Sequence, residues 1–277
     1  MRFGKSPTSA GVLLLALVVY SAAVCEKTAF AAPSADTSDI FVAPMLGANW
    51  AQGSPMNDLT PRRSPCGCSA TAGGQELRVW RWPYRFEKSR TFAHQYLDDD
   101  GKWTTYTIRL DGRVPLDWDK IAASGGASTP VASDKEIAYN TAMLTAWLQS
   151  FAKISFKPGA GSANQKICSE AENWWYEAGP VMSRHRNGYD NLWTAITNDL
   201  AFGSPVQINT PVHQMVVDGY AVDNAGTANE TRWINTNYGW GGAICWENFD
   251  TVTTSGGSAG VFADFQTGYR PQKRVQF

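Results

Sequence analysis

The sequence predicts an α+β fold of two lobes with a cleft between them, a helical lobe first and an antiparallel β-rich lobe second. Two observations carry this. Helical patterns fall in the first part of the chain, at Ser69–Trp80 and again where Ile137, Leu144, Trp147, Leu148 and Phe151 recur at helical spacing. Strand-like runs crowd the later part, at Val206–Asn209, His213–Val222 and Arg232–Asn237. Helices segregated from strands give an α+β arrangement, and the cleft between two lobes is where a site is expected.

The elements follow in order. Arg2 and Lys5, the apolar run Val12–Val24 and Ala29-Phe30-Ala31 read as a secretory signal peptide over residues 1–31, which predicts a secreted or periplasmic protein with no membrane span after cleavage. The remaining 277 − 31 = 246 residues suffice for one sizeable domain or two lobes. Residues 32–49 read as a short leader, with Ala32–Ile40 disordered, and residues 50–277 as the functional domain. Phe41–Thr60 reads as a loop, and Ser69–Trp80 as a helix ending before Pro83. Arg90–Val114 is an aromatic-rich irregular stretch with a turn at Asp98–Gly101. Ser133-x-x-Glu136 forms a capping box for the next helix, and Gly159–Asn164 is a polar Gly/Ser loop. A further helix is predicted over Asn191–Phe202, stopped by Gly203-Ser204-Pro205.

Four short segments carry chemistry. Trp50-Ala51-Gln52 precedes Cys68-Ser69-Ala70-Thr71-Ala72; far downstream stand His213-Gln-Met-Val-Val-Asp218-Gly219-Tyr220 and Asn237-Tyr238-Gly239-Trp240-Gly241-Gly242. A thiolate, not a thiol, is the nucleophile, so a reactive Cys68 needs its pKa lowered. A helix N-terminus favours an anion there, and an imidazolium from His213 would pair with the thiolate and later protonate a leaving amine. The separation of 213 − 68 = 145 residues lies within the roughly 130–150 expected between nucleophile and base in papain-type enzymes.

This ordered set resembles the streptopain and interpain family, bacterial cysteine peptidases with a papain-like fold. Trp50, Gln52, Pro55 and Asn57 match its Trp-x-Gln-x-x-Pro-Tyr-Asn tract, with Met56 in place of the Tyr. Cys68, Ala70, Thr71, Ala72 and Gln75 match the nucleophile tract, and His213, Val216, Asp218, Gly219 and Tyr220 the histidine tract. The glycine-rich tract matches with Tyr238 in place of a Trp. The resemblance implies a thiol endopeptidase acting on protein or peptide substrates without a cofactor, with Cys68 as nucleophile and His213 as base and acid. It implies that Asn237 orients the imidazole and that Gln52 donates to the oxyanion. Trp240 is expected at the substrate cleft, covering the His–Asn hydrogen bond.

Other readings compete. Taken alone, Cys68 could be structural, His213 a satisfied core histidine, and Gln52 and Asn237 ordinary loop amides. A catalytically silent binding or inhibitory module, or a thiol amidase or transglutaminase-like transferase, would keep the same motifs. A carbohydrate-binding role rests only on the twelve tryptophans. Cys66-x-Cys68 lacks the second pair of a zinc site, so no metal is expected. If Cys68 stays reduced, at most one disulfide forms among Cys66, Cys168 and Cys245. His94 and His185 read as surface residues. A formal net charge of −1 with no basic stretch argues against nucleic acid as a partner.

The sequence also departs from the family pattern. Only residues 32–49 stand where relatives carry a large inhibitory pro-region, which points to another control such as a separate protein inhibitor. Thr210-Pro211-Val212 runs straight into His213 without a long glycine-rich loop. Gly73-Gly74 weakens the nucleophile helix by roughly 1 kcal/mol per glycine.

Overall fold

The computed structural model describes residues 32–86, 88–126, 134–162, 183–185, 189–209, 213–242, 244–249 and 264–267. The expected signal peptide, Cys168 and Thr210–Val212 lie outside them, and so does the side chain of His185.

The α-helices among the described residues are α1 (Cys68–Trp80), α2 (Lys135–Ala152) and α3 (Tyr189–Ala201). Helix α1 is buried along Ser69–Leu77 and stops where Arg81 turns left-handed, its N–H reaching back to the Arg78 and Leu77 carbonyls. The second of its paired glycines, Gly74, has a packing reason. A Cβ on Gly74 would stand 2.3 Å from Cζ3 of the Trp50 indole, so the ring occupies the space a side chain would need. Gly74→Ala is therefore expected to destabilise the protein by about 1–3 kcal/mol through overpacking, although helix propensity favours alanine. A urea titration that found the variant more stable would show that this contact is dispensable.

Helix α2 starts one residue later than the expected capping box. Asp134 is the N-cap, its Oδ1 accepting from the N–H groups of Glu136 (2.8 Å) and Ile137 (3.4 Å). Its apolar stripe packs Trp147 against Phe86 with ring centroids 4.3 Å apart.

The stretch after α1 is more regular than expected. Strands β3 (Arg90–Leu97) and β4 (Trp103–Leu110), which follow β1 and β2 described below, pair antiparallel without a break, closed by Asp98 Oδ1 accepting from the N–H groups of Asp100 and Lys102. His94 consequently does not lie on the surface. Strand alternation turns it inward with Tyr96, its Nδ1 sits 2.8 Å from the Ile154 carbonyl, and the rings of Phe92 and Phe156 meet it edge-on. Burial pushes its pKa down, and the Ile154 contact only partly offsets this. Part of the expected polar loop, Ala160–Ser162, is a strand.

The second lobe is built on one antiparallel sheet. Its main path runs β12 (Ile244–Asn248), β11 (Thr231–Asn237), β10 (Gln214–Asp223), β9 (Val206–Asn209), β13 (Asp264–Thr267) and β8 (Ser183–His185). The leader is not loose. Ser34 closes a turn onto Thr37 and Ser38, and β1 (Ile40–Val42) pairs with β10 as a further strand of this sheet. Within the expected 41–60 loop, β2 (Asn49–Trp50) pairs parallel with β5 (Ser124–Gly125).

Two hydrophobic cores match two lobes. One gathers Trp50, Leu77, Leu144, Leu148 and Phe156; the other gathers Ile196, Leu200, Ile208, Val217 and Phe249. Helix α1 lies between them, packing on α2 and on β9 and β10. Among the described residues no helix is long and apolar enough to cross a membrane.

Candidate active site

Cys68 is the first residue of α1, following Gly67 at φ 91° with no side-chain cap on the helix start. The N–H groups of that first turn have no intrahelical acceptor and favour negative charge. Burial pushes the thiol pKa up. The hydrogen bond and charge of His213, with backbone donors at Gln214 and Ser69, outweigh it and hold Cys68 below its ordinary value. The neighbouring thiol behaves oppositely: Cys66 is fully buried against Thr71 Oγ1 (3.2 Å), and burial pushes it up to about 12. Both thiols are free, whereas Cys245 is disulfide-bonded, so the one disulfide the sequence allows does not use Cys66.

His213 stands immediately before β10. Its Nε2 lies 2.7 Å from the backbone carbonyl of Tyr238. A carbonyl can only accept, so Nε2 carries the hydrogen and Nδ1 is left for the sulfur of Cys68. That tautomer suits an imidazole that takes the thiol proton. Trp240 stacks on the imidazole (centroids 4.4 Å apart, 28° between planes), and the Tyr238 ring lies against Trp240 at 5.2 Å.

The expected bond from His213 to Asn237 is not formed. Asn237 is buried and spends its amide elsewhere: Nδ2 donates to the Ala48 carbonyl (3.0 Å), and Oδ1 accepts from the N–H of Gly239 (2.9 Å) and from Gln75 Nε2 (3.4 Å). The physical reason is position. The chain turns directly after Asn237, which carries the next carbonyl to the imidazole and points the amide beneath the loop. Gln75 completes this arrangement, with its Oε1 accepting from the Trp50 N–H (3.1 Å) while its Nε2 reaches Asn237. The Trp50 carbonyl in turn accepts from the Gly241 N–H (3.1 Å). Trp50 is fully buried, with its indole N–H donating to the Ala122 carbonyl (2.8 Å).

Gln52 is fixed beside the nucleophile loop by its own carbonyl, which accepts from the Cys66 N–H (2.9 Å). Its half-buried side-chain amide makes no hydrogen bond among the described residues.

Sequence reasoning missed two sets of residues. One is a buried chain joining the lobes: Gln214 Nε2 donates to Gln207 Oε1, and Gln207 Nε2 donates to Glu76 Oε2 (2.6 Å). It runs from the nucleophile helix to the residue next to His213. The other is Asp218, seated at a bulge in β10, whose Oδ2 accepts from the Leu46 N–H (3.1 Å) and whose carbonyl accepts from Met45. Burial pushes its carboxyl up to about 6. Asp218 belonged to a quoted motif, so that signal was present; Gln207 and Gln214 gave none.

The sequence model of the Peptidase C10 family matches residues 50–245, which contain Gln52, Cys68, His213 and Asn237. Active wild-type interpain A, a cysteine protease of Prevotella intermedia, superposes with a TM-score of 0.62 at 19% identity, covering 86% of this chain and 98% of that one. A mutant fragment of prointerpain A from the same organism gives 0.64 at 20% identity, covering 97% of this chain and 86% of that one. At such identities the likeness concerns the fold. No curated protein sequence matches the chain. A match over most of the chain settles the family: this protein belongs to the Peptidase C10 family and is a cysteine endopeptidase acting on proteins or peptides.

Proposed function

We propose that Cys68 attacks the scissile carbonyl while His213 Nδ1 takes the thiol proton. The imidazolium then protonates the leaving amine, the C–N bond breaks, and an acyl-thioester remains on Cys68. Water, deprotonated by the same imidazole, releases the carboxylate and regenerates the thiol. The observation carrying this reading is the Cys68–His213 pair at the start of α1, with the thiol held below its ordinary pKa against the effect of burial. A decayed site that serves only for binding has no use for such a pair.

Gln52 and the Cys68 N–H serve as oxyanion donors, and Trp240 shields the imidazole on the substrate side. The Tyr238 carbonyl takes the orienting role expected of Asn237, which instead holds the loop that presents it. The functional unit extends upstream of Trp50, because Leu46 and Ala48 bond to Asp218 and Asn237. The sequence of residues 1–31 supports export. Gln52→Ala is expected to lower kcat about a hundredfold or more, since it removes one oxyanion donor. Cys68 should remain as alkylatable as before, because the thiolate does not depend on that amide. Parallel peptide-hydrolysis and iodoacetamide assays check this, and lost alkylation would assign Gln52 a structural role instead.

A further inference from the structure

The loop that presents the Tyr238 carbonyl to His213 is rich in glycine. Gly239, Gly241 and Gly242 all hold positive φ (67°, 66° and 119°), so the backbone alone does little to fix it. Asn237 and Gly241 tie it across the cleft to Ala48 and Trp50. A different tie reaches back into its own lobe: the Tyr238 hydroxyl donates to Glu247 Oε1 at 2.7 Å.

Glu247 lies on β12, on the far side of β11, where its backbone pairs with Ile234 and that of Cys245 pairs with Thr236. Its residue is 3% exposed, and besides Tyr238 the Thr236 hydroxyl lies against its carboxyl. Burying a carboxyl is costly even where hydroxyls meet it, and a sheet position of this kind is ordinarily filled by an apolar side chain. The residue at 238 is also where this chain carries Tyr in a family tract with Trp, and a Trp has no hydroxyl to place on Glu247.

We infer that Glu247 is a positioning residue for the catalytic base: by anchoring the Tyr238 hydroxyl it fixes the Tyr238 carbonyl that aims His213 at Cys68. The side chain and main chain of Tyr238 thus work as one bracket. The phenol end is clamped in the sheet, the carbonyl end holds Nε2, and the ring lies against Trp240, which covers the imidazole. The inference rests on the Cys68–His213 pair proposed above.

The test measures kcat and KM on a peptide substrate, and the alkylation rate of Cys68 by iodoacetamide across pH. It compares the wild type with Tyr238→Phe, Glu247→Gln, Glu247→Leu and the double variant Tyr238→Phe/Glu247→Leu. Tyr238→Phe and Glu247→Leu should each lower kcat roughly ten- to a hundredfold, as a misplaced catalytic group does. Both should keep KM within about twofold and move the alkylation profile toward higher pH. Glu247→Gln retains an acceptor oxygen and should recover most of the loss, and the double variant should be no worse than either single one. Variants that lose thermal stability yet keep kcat and the alkylation profile would overturn the inference, as would losses that add in the double variant. A wild-type enzyme with no activated thiol would overturn the pair itself, and the role of Glu247 with it.

Discussion

Cys68→Ala is expected to abolish peptide hydrolysis, lowering kcat by about a millionfold, the scale seen when a nucleophile is removed from a catalytic constellation. The fold should survive. Cys68 is a small, half-buried residue at the first turn of α1, and alanine is the best helix former available there. Thermal unfolding of the variant should therefore move little, by less than about 1 kcal/mol. Activity assays against a peptide substrate, run beside a melting curve, separate loss of chemistry from loss of structure. Retained hydrolysis in a folded variant would sink the assignment. Cys66 cannot substitute, because burial holds it near 12 and leaves only about one molecule in 10⁵ as thiolate at neutral pH.

His213→Ala should cause a comparable loss of turnover and, in addition, a loss of thiol reactivity. The hydrogen bond and charge of His213 are the strongest of the influences that hold the Cys68 pKa down against burial, so removing them moves it upward. Iodoacetamide labelling near pH 6 should then slow, following the smaller thiolate fraction. Mass-spectrometric mapping has an internal reference in Cys66, which should stay unlabelled in both proteins. Equal labelling of Cys68 with and without the imidazole would mean that the helix start alone activates the thiol, and His213 would lose its claim as partner.

Much of this was legible in the sequence because it is local. The bounds of α1 and the run of β10 follow from periodicity and motif within a dozen residues, and the quoted tracts placed Cys68 and His213 on facing elements. The orienting group was not legible. Every residue has a carbonyl, so reasoning from side-chain types pointed to the amide of Asn237 and could not single out the main chain of Tyr238. The Glu76–Gln207–Gln214 chain joins residues whose meeting depends on how the lobes close, a tertiary fact with no local pattern. His94 was misplaced for a related reason. β3 alternates regularly, but the Ile154 carbonyl and Phe156 ring that enclose His94 come from about sixty residues further along the chain (154 − 94 = 60). Gly74 looked like a propensity defect because the indole that occupies its side-chain space comes from Trp50, twenty-four residues earlier (74 − 50 = 24).

The wide spacing of nucleophile and base also bears on how the enzyme is made. Cys68 and the helix it starts leave the ribosome long before β10 and β11, the strands that hold His213 and its orienting carbonyl. β10 must also join β1, from the other end of the chain, and contacts between such distant segments form late in folding. A growing or half-folded chain therefore carries a cysteine without its imidazolium. On the mechanism proposed above, proteolytic competence arrives only with the completed sheet.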